Sequence, residues 1–345
     1  MPIVVWAAAA LLVVAAAFTG LVLVAVKMPY KGYTAEAVVV NIVPRSPTVA
    51  ILASLENEGV LRDWRLGLFA LRLLHPGKTL KAGEYRFSGE RTPEQVILSI
   101  VAGDVVTYRV TVPEGFTADE VFALFTSQGF GFPADFQFLF SRPAELEGVP
   151  TEAPTLEGFL FPDTYTVTRS MSAREIVSTM TRQFARRLPP KYAEQARAEG
   201  LTLLSAVTLA SLVEKETSIP EERPFVSAVY HNRLKRGMFL QADPTTIYAL
   251  KRLGEWRGAL ARSQLAVEEP YNTYARLGLP PGPICNPGLP ALQAAIAPAN
   301  AEFLFFVAAG DGSHLFSSTF DEHERNVARY LQTRRAARGA GRGER

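Results

Sequence analysis

Ile3 to Val26 carries no charged residue. As a helix rising ~1.5 Å per residue it is about 36 Å long, enough to cross a hydrocarbon core of roughly 30 Å. A cleaved leader has a charged start and an apolar stretch of only ~7–15 residues, and this run has neither. It reads as an uncleaved single-span anchor. Lys27 and Lys31 follow the span, and only the terminal amine precedes it. Those charges alone would keep the bulk of the chain in the cytoplasm. Long domains translocate largely regardless of such charges, so orientation stays open at this point.

The 345 residues are 48% hydrophobic and 20% charged, which is enough for two or three folded domains. A net charge of +2 is too small to argue for nucleic acid as a partner. Arg334 to Arg345 alternates Arg with Ala and Gly and reads as a solvated, disordered tail. The lone cysteine, Cys285, cannot form an intrachain disulfide and is expected to be a small buried residue. None of the four histidines lies in an H-E-x-x-H arrangement, and one cysteine cannot build a zinc cluster. G-x-S-x-G, P-loop and G-x-G-x-x-G patterns are absent.

Local patterns predict an α+β chain. Ala37 to Val43 is β-branched and reads as a strand. Ser46-Pro47 predicts a helix start, with Ser as N-cap and Pro at N1. A second helix is expected over Trp64 to Leu74, then a strand at Glu84 to Phe87. Thr92 and Gln95 form a capping box for a helix reaching about Val101, and Thr117 and Glu120 another reaching about Ser127. Val106 to Val112 reads as a strand between them. Further helices are expected at about Ala173–Arg187, Pro190–Glu199, Thr202–Glu216, Arg223–Arg236 and Phe320–Arg334. A hairpin should join Phe303–Ala308 to His314–Ser317 over Ala309-Gly-Asp-Gly312.

The chemistry candidate is Leu209-Ala-Ser-Leu-Val-Glu-Lys-Glu-Thr217, an apolar helix running into two glutamates. Burying a carboxylate is costly, and an apolar setting raises its pKa, leaving an acid able to donate near neutral pH. Glu214 and Glu216 are two residues apart, about 200° around a helix, so they are not expected to line one cleft together. Each continues an apolar row, so periodicity does not choose between them. Salt bridges to Lys215, Arg223 or Arg233 are the structural alternative.

Three further clusters follow: Tyr230-His-Asn-Arg-Leu234, Met238 to Tyr248, and Pro270 to Tyr274 leading to Asn286-Pro-Gly288. Tyr, Asn and Gln beside Pro/Gly turns suit sugar recognition, with flat apolar faces and amide groups. Plain loop architecture is the competing reading, above all for Pro280 to Gly288.

Taken in order, these stretches resemble the endolytic murein transglycosylases of the YceG-like family. The resemblance is carried by Leu209–Thr217, Glu222-Arg223, Asn232-Arg-Leu234, Leu240-Gln-Ala-Asp-Pro-Thr245, Tyr271-Asn-Thr-Tyr274, Gly278-Leu-Pro-Pro-Gly282 and Asn286-Pro-Gly288. Glu157-Gly-Phe-Leu-Phe-Pro-Asp-Thr-Tyr165 resembles the family's entry motif, and His314 and Phe316 fit its closing hairpin.

The resemblance implies a bacterial enzyme anchored in the plasma (inner) membrane by one span, with its catalytic domain on the extracytoplasmic side. It would cut nascent peptidoglycan strands between N-acetylmuramic acid and N-acetylglucosamine, leave 1,6-anhydro-N-acetylmuramic acid ends, and so terminate elongation. No cofactor or metal is implied. The partners would be glycan strands, the membrane through residues 3–26, and peptidoglycan synthases. The implied organisation is an anchor at 1–28, a LysM-like βααβ module with a linking α+β region at 35–150, a catalytic domain at 151–332 and a basic tail at 333–345.

The resemblance also selects Glu216 as the catalytic acid. Glu214, Arg223, Asn232, Gln241, Asp243, Tyr271, Asn272 and Glu157 are supporting candidates. Among them Tyr271, Asn272 and Gln241 are candidates for binding the sugar and its N-acetyl group. Arg223 is a candidate for orienting Glu216 or meeting a peptide-stem carboxylate. A hydrolysing muramidase with Asp243 or Glu157 as second carboxylate is one alternative. The other is a non-catalytic wall-binding scaffold for synthases. The absence of basic residues before the span departs from the family's pattern.

Overall fold

The computed structural model describes residues 2–340, excepting the side chains of residues 2–5, 8 and 335–340. Two compact units emerge: Met1–Arg109 with Thr166–Met171, and Val110–Tyr165 with Ser172–Arg345. Both are built of helices with two-stranded sheets, the mixed α+β class expected.

The first unit opens with α1 (Pro2–Val26), the one described helix long and apolar enough to cross a membrane. Next come β1 (Ala37–Ile42), α2 (Thr48–Asn57), α3 (Trp64–Phe69), β2 (Gly83–Ser88) and α4 (Pro93–Ala102). β1 and β2 pair antiparallel with Val40 opposite Tyr85. Inward Val40, Ile42, Tyr85 and Phe87 alternate with outward residues, as a sheet with one covered face requires. Leu52, Leu55, Val96, Ile97 and Ile100 cover that face, and Val26 at the end of α1 joins the same core. The Thr92–Gln95 capping box forms as expected.

Two local details differ from expectation. Pro47, rather than Ser46, is the N-cap of α2; it adopts extended ψ 142° and gives no side-chain cap. The helix over Trp64–Leu74 is α-helical only to Phe69 and continues as a π-helical stretch from Ala70 to Leu74.

The chain passes between the units within β3 (Tyr108–Thr111) and β4 (Thr164–Val167), which pair with each other. The second unit holds α5 (Ala118–Ser127), α6 (Pro133–Phe140), α7 (Ala173–Arg187), α8 (Tyr192–Ala198) and α9 (Leu203–Glu216). It continues with α10 (Arg223–Lys235), α11 (Asp243–Arg252), α12 (Leu289–Ile296), the hairpin β5 (Phe305–Ala308) and β6 (His314–Ser317), and α13 (Phe320–Ala340). α9 is its central element. Ala206 to Val213 are all buried, and α8, α10, α11 and α12 pack around them. Thr202 caps this helix and pairs with Ser205 in a capping box.

The second unit takes in the chain from Val110, so α5 and α6 lie in it. α5 and α6 belong to it because the chain before Leu156 is tied in by buried hydrogen bonds. Ala118 N donates to Glu157 Oε1 at 2.9 Å, and Gly115 N to the Asn286 carbonyl at 2.9 Å. The last helix also runs to Ala340, past the expected stop at Arg334 and through much of the stretch read as a tail. Residues 341–345 of that stretch lie outside the described residues.

Candidate active site

Glu216 is the last residue of α9, and Thr217 leaves the helix with φ −140°. The helix ends facing an open cavity of about 450 Å³ lined by Glu114, Gly115, Glu214, Lys215, Glu216, Thr217, Ser218 and Arg223. Glu214 and Glu216 thus do share a cavity, contrary to the expectation from their angular separation. The cavity lies over the C-terminal end of the helix, where residues on different sides can reach one space.

Their surroundings nevertheless set the two carboxyls apart. Glu216 Oε1 accepts the Tyr230 hydroxyl at 2.7 Å. Burial pushes the Glu216 carboxyl up to about 7, reinforced by Asp243; Tyr230, His314 and Arg233 oppose the rise without cancelling it. Glu214 is occupied differently. Its Oε2 accepts Gly288 N at 3.1 Å, and its Oε1 lies 3.6 Å from the Arg223 guanidinium. Its pKa is also raised by burial, partly offset by Arg223. Arg223 pairs with Glu214 and, at 3.9 Å, with Glu114 rather than with Glu216.

A clamp holds the loop after Glu216. The Thr217 hydroxyl donates to Glu222 Oε2 at 2.9 Å, and Thr217 Oγ1 accepts Ile219 N at 3.0 Å. Glu222 also accepts two bonds from β6, His314 N on Oε1 and His314 Nδ1 on Oε2, both at 2.7 Å. Burial alone would raise Glu222; the bonds from His314 and Thr217 outweigh it and hold the carboxyl below its ordinary value. Glu222 therefore joins the helix end to the hairpin. Glu222→Ala is expected to lower unfolding free energy by about 2–3 kcal/mol, since it orphans charge-assisted donors. Urea denaturation measures this.

The other sequence candidates are placed as follows. Asn232 Nδ2 donates to the carbonyls of Ala301 and Phe303, so it joins α10 to the strand region. Asn272 is fully buried: its amide donates to Leu265 O and Val267 O and accepts the Thr246 hydroxyl and Tyr274 N. Tyr271 is buried against Tyr248, with the Arg252 guanidinium over its ring. Neither Tyr271 nor Asn272 lines the Glu216 cavity. Asp243 begins α11, lies exposed, and its Oδ1 accepts the Tyr274 hydroxyl at 2.6 Å. Exposed Gln241 sits before it at φ 49°, a left-handed conformation that costs a non-glycine residue about 1–2 kcal/mol.

Glu157 is 2% exposed, its Oε2 accepting the Tyr248 hydroxyl at 3.1 Å, with the Asn286 amide 3.4 Å from Oε1. Burial raises its pKa to about 8 against the bonds it accepts. It is enclosed among these groups. Cys285 is buried, donates toward the Ser211 carbonyl and has its thiol pKa raised by burial, so it is the small packed residue expected.

Two further residues bear on Glu216. The sequence places Tyr230 in a cluster suited to sugar recognition, and its bond to Glu216 spans fourteen residues, across a helix-turn-helix. Arg233 Nε donates to Leu304 O at 2.7 Å, its NH1 to Leu240 O at 2.7 Å, and its charge bears on Glu216. A different cavity of about 410 Å³, lined by Pro189, Gln195, Ala198, Glu199, Gln293, Ile296 and Ala297, shares no residue with the Glu216 cavity.

The fold and site thus define a mixed α+β protein presenting one acid poised near neutrality at the end of a buried helix. The YceG-like family model matches residues 40–329, so the chain belongs to the YceG-like family. An endolytic murein transglycosylase of Streptococcus pneumoniae serotype 2 is 28% identical over 338 residues, covering 89% of this chain and 61% of that protein. One from Bacillus subtilis is 33% identical over 180 residues, covering 52% of this chain and 49% of that protein. The chain therefore spans about three fifths of the pneumococcal relative's length and about half of the Bacillus one's. A crystal structure of a YceG-like protein from Listeria monocytogenes aligns with TM-score 0.53 and 29% identity, over 84% of this chain and 99% of that one.

Proposed function

We propose that this chain is a peptidoglycan lytic transglycosylase with Glu216 as its only proton-transfer group. The observation that carries the reading is the Glu216 carboxyl itself, raised to about 7 by burial and open to a cavity while Tyr230 holds one oxygen. With Oε1 taken by Tyr230, Oε2 is the oxygen assigned to the proton. That proton passes to the glycosidic oxygen between N-acetylmuramic acid and N-acetylglucosamine as the C1–O bond breaks. The resulting carboxylate then takes the proton of the C6 hydroxyl, and O6 closes onto C1. No water is consumed, and the product ends in 1,6-anhydro-N-acetylmuramic acid. An internal cut of this kind terminates a growing strand.

A glycoside hydrolase needs two carboxyls in distinct roles. Glu157 is enclosed, and Glu214 is held by Gly288 and Arg223, which speaks against either activating a water. Asp243 is exposed and near enough to raise the Glu216 pKa, so it is the carboxylate on which a hydrolase reading would rest. Mass spectrometry of digested glycan separates the two: anhydro ends are one water lighter than hydrolysed ends. Predominantly reducing ends would overturn the lytic reading.

Gln241 and Asp243, both exposed, are the residues we assign to sugar contacts. Tyr271, Asn272 and Asn232 are assigned to holding loops in place. The proposal extends to a LysM-like glycan-binding role for the β1–β2 unit. It also places α1 in the plasma membrane with the remaining chain outside, where the strands and their synthases are. A scaffold without catalysis does not account for an acid held at about 7 beside an open cavity.

An acid that must be protonated sets the alkaline limb of the pH profile. kcat/KM is expected to fall about tenfold per pH unit above a midpoint near 7, the value of the Glu216 carboxyl. The same profile for Tyr230→Phe should shift its midpoint upward, because the Tyr230 hydroxyl lowers the Glu216 pKa.

A further inference from the structure

A second cavity of about 250 Å³ is lined by Thr117, Lys215, Pro244, Ile247, Tyr248, Lys251, Trp256 and Ile284. It shares Lys215 with the Glu216 cavity, so the two open onto the same side chain. Lys215 is exposed, and its ammonium donates to a neutral group, the Gly115 carbonyl, at 3.3 Å. Among the described residues it takes part in no ion pair. The neighbouring cations are already engaged: Arg223 with Glu214 and Glu114, and Lys251 with Glu120 at 3.1 Å. Lys215 therefore carries a positive charge with no ion-pair partner among the described residues, one residue before the acid, and lines a compartment walled by Trp256, Pro244 and Ile247.

A lysine ammonium without an ion-pair partner, beside an apolar wall, is more than an uncharged glycan backbone calls for. It suits a short anionic chain with apolar parts. At about 250 Å³ the compartment is smaller than the roughly 300–1,000 Å³ that encloses a drug-sized ligand, so it takes a short segment and not a disaccharide. We propose that this compartment is a subsite for the peptide stem carried on the lactyl group of the muramic acid being cleaved. Lys215 meets a stem carboxylate, and Trp256 with Ile247 covers the stem's apolar side chains. The inference rests on the murein reading of the Glu216 site, and it names the part of the substrate that places the sugar there.

The test compares uncrosslinked glycan strands bearing peptide stems with the same strands stripped of stems by an amidase. Dissociation constants are measured on the Glu216→Gln protein, which reads binding without turnover, and kcat/KM on the Glu216 enzyme. Stem-bearing strands are expected to bind about tenfold tighter, the size of one charge-assisted contact at a partly exposed lysine. Lys215→Met, which keeps the aliphatic stem of the side chain, should bring that ratio close to one in both measurements, and Trp256→Leu should lower it. Equal binding of the two strands, or an unchanged ratio in Lys215→Met, overturns the subsite. If the binding preference stands but the Glu216 enzyme forms no anhydro ends, the lytic reading fails and the subsite survives.

Discussion

Glu216→Gln is expected to lower strand cleavage by at least about 10²–10⁴-fold, the usual worth of one positioned acid–base group. It should do so while making the protein more stable at high pH. A carboxyl raised to about 7 by burial is destabilising whenever it must be ionised. Below the ordinary glutamate value of 4.5 it is protonated in both folded and unfolded chains, and the cost is absent. The cost grows as pH rises through 4.5 and is complete above about 7. Gln carries no charge at any pH and still accepts from Tyr230. The variant should therefore gain about 2–3 kcal/mol over the Glu216 protein at pH 8 and nothing at pH 4, by urea unfolding. Loss of activity with loss of stability at pH 8 would point to a structural carboxylate instead.

Asn286→Ala is expected to cost about 3–5 kcal/mol and to impair cleavage only as folding fails. Asn286 Oδ1 accepts Gly158 N at 3.0 Å and Leu160 N at 2.9 Å. Its Nδ2 donates to Phe116 O at 2.9 Å and lies 3.4 Å from Glu157 Oε1. Truncation leaves two buried N–H groups without a partner, at roughly 1–3 kcal/mol each, and a void besides. The urea midpoint should drop with little change in slope. Asn286→Asp is the sharper variant. It sets a second carboxyl beside Glu157, whose own pKa is already near 8, so its deficit should widen between pH 5 and pH 8.

What the sequence revealed about these residues follows from how local their signals are. Thr92, Thr117, Ser172 and Thr202 each cap a helix through a partner three residues on. Such contacts lie within one turn, and all four of those helices start within a residue or two of where the sequence predicts. α11 and α12 were not anticipated. Their starts, Asp243-Pro244 and Leu289-Pro290, look like loop chemistry until the chain beyond them is seen to bury Thr245, Thr246 and Ala291. Glu216 was legible because an acid at the end of an apolar helix is anomalous on its face. The clustering of Asn286 with Glu157, and of Glu222 with His314, links residues 129 and 92 positions apart, and no spacing rule encodes such meetings. As sequence, Asn286-Pro-Gly288 suits either a sugar contact or a simple turn. It is a junction fixing the strands of chain around α5, which neither reading contained.

The burial of Val26 also fixes a height. Val22 and Val26 pack into the core of the β1–β2 unit, so the last turn of α1 is already part of that unit. On the proposed anchoring the roughly 20 residues from Pro2 to Leu21 meet lipid, and at ~1.5 Å each they measure about 30 Å, one hydrocarbon thickness. On the proposed anchoring there is no slack leash between bilayer and protein. The β1–β2 unit would rest at the headgroups like a foot on a floor, and could grip only strands lying within its own width of the membrane, where newly made chains emerge.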